Sequence, residues 1–338
     1  MTFKIWKVTL FLSAFLFSCS QDMEITSEKV VFDPPESFPE PFYTSEKFPF
    51  SKERVQLGKK LFYDPILSVD NSISCGSCHA QSHAFSDHNT ALSAGVNNLI
   101  GTRNSPAIIN LAWQPYFMHD GGVNHIEVFP LAPITNPVEM SLSIAEMINK
   151  LNANSSYPLD FQVAFGTDSI SSDLVFIAIA QFQSTLISAN SKYDKYIKGE
   201  ISFSSKEKSG LDLFESNCSS CHTPPLFTDY SFVNNGLDYT FSDAGRALVS
   251  QVTSDSGKFK VPTLRNIALT NPYMHDGRFM SLDEVINHYS EGVKENGYLD
   301  SRLSKGIVLN DQEQSDLIAF LQTLTDYEFI SNPDFAEE

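Results

Sequence analysis

The 338-residue chain carries Cys-x-x-Cys-His twice, as Cys75-Gly-Ser-Cys78-His79 and as Cys218-Ser-Ser-Cys221-His222. Nothing else in the sequence constrains it as much. Two thiols at this spacing can form thioethers with the vinyl groups of a haem, while the adjacent histidine, Nε2 toward iron, becomes the proximal ligand. A single match could be chance or a redox dithiol. Here the five cysteines are Cys19 and these four, so none is left over for a structural disulfide, although an even number in an exported chain ordinarily means bridges. The expected cofactors are therefore two covalently bound c-type haems, one on Cys75, Cys78 and His79, the other on Cys218, Cys221 and His222.

The chain begins MTFKIWKVTLFLSAFLFSCS, with Lys4 and Lys7 ahead of an apolar run that closes on small residues and a cysteine. That is the plan of a secretory signal, and the run is short for a membrane span. Leu16-Phe17-Ser18-Cys19 resembles a bacterial lipobox. Residues 1–18 then read as a lipoprotein-type signal peptide, and Cys19 as the lipidated residue that anchors an exported, periplasmic protein to a membrane. The other reading is plain export, with Cys19 lost alongside the signal. The 41 acidic and 23 basic residues leave a formal charge of -18. Such a balance argues against nucleic acid as a partner, because phosphate binding needs a clustered basic face. A basic partner suits it better.

Residues 19–50, with FDPPESFPEPFYTSEKFPF, are rich in Pro, Glu and Phe and read as an extended tether. In SKERVQLGKKLFYDP, the residues Val55, Leu57, Leu61 and Phe62 fall at near-helical spacing, and Asp64-Pro65 stops the helix before the first haem segment. SSKEKSGLDLFESNCSSCH repeats the plan with Leu211, Leu213 and Phe214 before the second. SIAEMINKL, DLVFIAIAQFQSTLISA and NDQEQSDLIAFLQTLT read as further amphipathic helices, and long strand patterns are scarce. PYFMHDGG and PYMHDGRF are nearly one phrase written twice, each downstream of its haem segment, which marks a duplicated unit. Each phrase is preceded by an Arg-Asn pair, Arg103-Asn104 and Arg265-Asn266, and arginine at such places commonly pairs with a haem propionate. The expected fold is mainly α, two cytochrome c-like haem domains packed against each other over 51–195 and 196–330, with a tail at 331–338.

At this point the residues resemble the bacterial di-haem cytochrome c peroxidases and their MauG relatives. The likeness runs over about residues 50–326 and rests on LGKKLFYDPILS, CGSCH, RNSPAIINLAW, NPVEM, NCSSCH, VPTLRNIALTNPYMHDG and LIAFLQTLT. It implies that the N-terminal haem domain is peroxidatic and reduces hydrogen peroxide to water. The C-terminal domain would take electrons from a small periplasmic donor, a cytochrome c or cupredoxin, and a calcium ion would sit between the two. A MauG-like alternative uses a high-valent di-haem state on a protein or small substrate. An alternative from another class is a non-enzymatic di-haem electron carrier or redox sensor. A homodimer is the assembly kept open.

The resemblance assigns roles to individual residues. Cleaving a peroxide O–O bond needs a group that takes a proton from one oxygen and returns it to the other. The family's glutamate falls on Glu139 in Pro137-Val138-Glu139-Met140; the alternative on residues alone is an exposed acid at a helix start. Twenty residues earlier, the family's usual tryptophan is His119 here, and the counted position of a common glutamine is Phe129. An imidazole does not carry a hole as readily as an indole, so fast transfer between the haems is in doubt. Trp113, the only tryptophan outside the signal, is either a substitute relay or a packing residue. The second haem's axial ligand falls on Tyr289 in SLDEVINHYSEG, with Met274 as its soft rival and His288 as an outside candidate. His119 and His275 would face the space between the haems as an electron path. Calcium would be held by the Asn104 side chain and the carbonyls of Thr270 and Pro272, hard oxygen donors completed by water. His83 and His88 lie near the loop that supplies a resting ligand in some members, but the first haem is expected to be open. His125 reads as a surface residue.

Overall fold

A serine opens the first helix. Ser51 Oγ accepts from the Arg54 N–H, α1 (Lys52–Tyr63) follows, and the Asp64 N–H closes it on the Lys60 carbonyl before Pro65. The structure is a computed structural model, which describes residues 1–2, 32–45, 47–87 and 90–337. Residues 3–31, which include Cys19 and most of the signal, and His88 lie outside the described residues. One turn, α2 (Cys75–Cys78), carries the first cysteine pair, and α3 (Leu131–Thr135), α4 (Ile144–Ala153), α5 (Tyr157–Phe165) and α6 (Ser172–Thr185) follow. The second half holds α7 (Lys192–Ile197), α8 (Ser205–Asn217), α9 (Ala247–Ser250), α10 (Leu282–Asn287), α11 (Asp311–Gln322) and α12 (Tyr327–Ile330). The strands are β1 (Phe232–Val233) and β2 (Phe259–Lys260), antiparallel, with Phe232 opposite Lys260. The mainly α class expected from the sequence is the class observed.

The duplication is visible in how the helices cross. Gly58 of α1 sits against α6 so closely that an added Cβ would lie 1.9 Å from the Ala178 carbonyl oxygen. Gly210 of α8 sits against α11 in the same way, 2.0 Å from the Asp316 oxygen. Four residues after each glycine stands a fully buried phenylalanine, Phe62 or Phe214. The two His-Asp-Gly phrases also fold alike. Phe117 bridges Val123 and Tyr273 bridges Phe279, closing loops with left-handed Met118 (φ 67°) and Met274 (φ 74°) at the same place, and left-handed Gly121 and Gly277 three residues on.

The Arg-Asn pairs do not occupy equivalent places in the two halves. Asn266 matches Asn110: each stands nine residues before its loop histidine, is left-handed, opens a short 3-10 turn and bonds Ser188 through its amide. Arg103-Asn104 has no such counterpart because Asn104 lies six positions upstream of Asn110.

Val31–Glu338 forms one compact unit. One core gathers Leu57, Leu61, Met147, Leu151, Tyr157 and Ile179 around α1, α4, α5 and α6, and another gathers Phe203, Phe214, Phe227, Phe320 and Leu324 around α8 and α11. Where it is described, the segment read as a tether is docked. Phe38 and Tyr43 are buried, the Tyr43 N–H donates to the Ala112 carbonyl, and Pro39 accepts from Trp113 Nε1 at 2.7 Å. Its aromatic side chains bury apolar area on the body, and that contribution outweighs the freedom lost. The tail also returns. Tyr63 Oη donates to the Phe335 carbonyl, and Gln81 Nε2 to that of Asn332.

Candidate di-haem centre

The first Cys-x-x-Cys segment is a helical turn, so both thiols project from one short loop beside the histidine. Cys75 and Cys78 are free and half-buried. Burial pushes the Cys75 thiol up to about 12 and that of Cys78 to about 11. A redox dithiol needs the opposite, a depressed thiol pKa. The Nδ1–H of His79 donates to the Phe85 carbonyl at 2.8 Å, which fixes the tautomer and leaves Nε2 as the lone-pair nitrogen.

The second segment repeats the device. His222 Nδ1 lies 3.1 Å from the Pro262 carbonyl and 3.2 Å from that of Phe227. Cys218 and Cys221 are also free, and burial pushes Cys218 up to about 12. Burial holds the pKa of both histidines below the ordinary value, and both are half-buried. Free thiol pairs and neutral, oriented imidazoles fit a covalently held haem at each site.

Glu139 is not an exposed helix-start acid. It is half-buried on the turn after α3, close enough to Cys75 and Cys78 to raise their pKa. Burial raises the carboxyl pKa, and the hydrogen bond from Asn136 Nδ2 to Oε1, at 2.7 Å, partly offsets this. The Glu139 carbonyl accepts from the Val96 N–H, and at Gly95 any Cβ would strike the 138–139 backbone. The carboxyl is thus held by a neighbouring amide and a tightly packed loop.

The candidates for the second axial position converge on one residue absent from the sequence reading, Asn235. Its Nδ2 lies 3.4 Å from Met274 Sδ and 3.5 Å from Tyr289 Oη, and its carbonyl lies 3.1 Å from His288 Nε2. Tyr289 stands in a π-helical turn, His288–Gly292, directly after α10. Such turns recur at functional sites. Burial raises the Tyr289 hydroxyl pKa, the Asn235 bond opposes this, and the nearby Cys218 and Cys221 raise it further. His288 is buried and its Nε2 is already committed to the backbone.

Asn104 joins the two loop histidines. Its N–H donates to the His275 carbonyl and its own carbonyl accepts from His119 Nε2, both at 2.8 Å. Its Nδ2 faces the carbonyls of Ala91 and Thr90. Burial drives His119 down to about 4, so it is neutral, and His275 stacks on Phe259 with 3.9 Å between ring centroids. Arg103 pairs with Asp120 and Asp243, each at 2.6 Å. Arg265, 1% exposed, is bidentate on Asp194, the same carboxylate that caps α7. The structure thus gives both arginines carboxylate partners within the protein.

Trp113 is fully buried, packs edge-on against Phe38 and donates to Pro39, the setting of a packing residue. Phe129 stacks on Phe117, His125 is exposed, and His83 lies 3.0 Å from Ser82 Oγ. Asn136 stands inside the quoted NPVEM and was within reach of sequence reasoning. Asn235 and Asp194 carry no motif, since only the chain's return brings them to the site.

Residues 52–202 match the family model for di-haem cytochrome c peroxidase, and 208–325 that for cytochrome c. The chain is 36% identical over 311 residues to the methylamine utilization protein MauG of Methylorubrum extorquens, covering 90% of this chain and 86% of that protein. It is 34% identical over 294 residues to the cytochrome c551 peroxidase of Nitrosomonas europaea, covering 85% and 83%. A crystal structure of a MauG-like protein associated with microbial copper homeostasis matches with a TM-score of 0.82 at 34% identity, over 90% of this chain and 98% of that one. With these likenesses added to the two paired-thiol sites, the chain belongs to the di-haem cytochrome c peroxidase and MauG family and is an oxidoreductase carrying two covalently bound haem c groups.

Proposed function

We propose that the protein is a peroxidase that reduces hydrogen peroxide to two molecules of water, taking two electrons from a small periplasmic donor such as a cytochrome c, with two protons from solvent. Bound haem supplies the iron that holds peroxide and the redox capacity for O–O cleavage. The observation that carries the reading is the placement of Glu139, a half-buried carboxyl beside the first thiol pair, held by Asn136. From there it takes the proton of the inner peroxide oxygen and returns it to the leaving one. Its raised pKa brings its proton affinity toward neutral pH, where one group can serve as both base and acid. The test is Glu139→Gln in the holo-protein. Both haems should be retained and peroxide turnover should fall by roughly 10²–10⁴-fold; unchanged turnover would remove Glu139 from the mechanism.

The reading includes export through residues 1–18, anchoring at Cys19, and haem domains at 51–195 and 196–330. It also includes a calcium ion on Asn104 and the carbonyls of Thr270 and Pro272. Asn104 supports this in one respect: its Nδ2 is turned to Thr90 and Ala91, which leaves Oδ1 for a cation. A second reading, a MauG-like oxidase of a protein or small substrate, is favoured by Tyr289, whose phenol sits near Cys218 and Cys221. An anionic oxygen ligand stabilises oxidised iron, where a thioether would favour electron uptake.

A further inference from the structure

Lys260 ends β2, and its N–H donates to the His119 carbonyl at 2.7 Å. Two residues on, the Pro262 carbonyl orients His222. The lysine therefore stands where the second haem segment meets the His119 loop. Its Nζ donates to Gln114 Oε1 at 2.5 Å and lies 5.9 Å from the centre of the Tyr230 ring. Neither partner carries a charge.

The contrast with the nearby arginines is sharp. Arg103 has two carboxylates and Arg265 has Asp194, whereas no ion pair reaches Lys260 among the described residues. Burial alone pulls its pKa down to about 8, with no acid close enough to oppose the shift. A desolvated ammonium with neutral partners is unfavourable unless an anion joins it. Lys260 is half-buried, as His79, His222 and Tyr289 are. The carboxylates that haem brings into a protein interior are its propionates.

We propose that Lys260 is the counter-ion of a haem propionate, the role the sequence reading assigned to the arginines. Its place two residues before Pro262, whose carbonyl meets His222, favours the second haem. The inference rests on the two bound haems of the family and not on peroxide turnover, so it stands or falls separately from the peroxidase reading. The experiment is spectroelectrochemical titration of both haems in the holo-protein, with resonance Raman of the propionate bending bands, for wild type, Lys260→Gln and Lys260→Arg.

Losing the positive charge disfavours the reduced haem. Lys260→Gln should lower the midpoint potential of one haem and shift a propionate band, and Lys260→Arg should restore both. Whichever haem responds identifies the propionate. Native potentials and native bands at both haems in Lys260→Gln overturn the pairing. Should the glutamine variant fail to take up haem, the arginine variant decides. It assembles with near-native potentials under propionate pairing, and fails equally if the lysine's role is only the packing of its stem.

Discussion

Glu139 holds a carboxyl where ionisation is disfavoured, and this has a consequence for stability as well as for catalysis. Its folded pKa is raised by burial, so its favourable contribution is present at low pH and is lost as pH rises through that pKa. Glu139→Gln is therefore expected to gain thermal stability on wild type at neutral pH, with the gain vanishing in acid; a pH series of melting midpoints reads this. Asn235 raises the other residue-scale question, since it meets both Met274 and Tyr289. With Tyr289 as ligand, the optical spectrum of the oxidised protein lacks the weak long-wavelength band of methionine-sulfur ligation. Tyr289→Phe then changes the low-spin ferric signal while Met274→Leu leaves it in place. The band's presence would instead assign the ligand to Met274 and favour a donor-fed peroxidase.

The two helix crossings are the repeated element. Helical spacing made α1 and α8 legible, and each glycine stood in view in LGKKLF and SGLDLF. Which helix each one meets was not legible, because an apolar stripe says that a face is covered and not by what. At Gly58 and Gly210 the obstacle is a backbone carbonyl, which cannot rotate away as a side-chain tip can. Gly58→Ala and Gly210→Ala should each destabilise by about 1–3 kcal/mol or more, seen as lower melting midpoints with loosened haem absorbance. The π-helical turn at Tyr289 was equally hidden. It adds one residue to a turn without changing residue type, so no periodicity announces it.

At the scale of the molecule, charge and chain path matter most. A formal charge of -18 should steer a basic donor, so electron transfer from a basic cytochrome is expected to slow steeply as salt rises. A flat salt profile in stopped-flow reduction would exclude such steering. Among the described residues no helix is long and apolar enough to cross a membrane. The docked arm and returning tail follow from tertiary contacts: Phe38 packs on Trp113, and Phe335 on Phe85. Pro and Glu in the arm suggested a free tether, but its aromatic residues decided where it lies.

The sequence by itself determined the covalent chemistry. Cys-x-x-Cys-His compresses a haem site into five consecutive residues, so local spacing is the whole signal, and the mainly α class follows from helical periodicity in the same local way. Only the tertiary structure decided the electrostatics between the two sites. Arg265 found Asp194 seventy-one residues away, while Lys260 found Gln114 and, among the described residues, no acid. Such pairings depend on how distant segments meet in three dimensions, and the strength of each is set by desolvation, which exists only once the chain has folded around it.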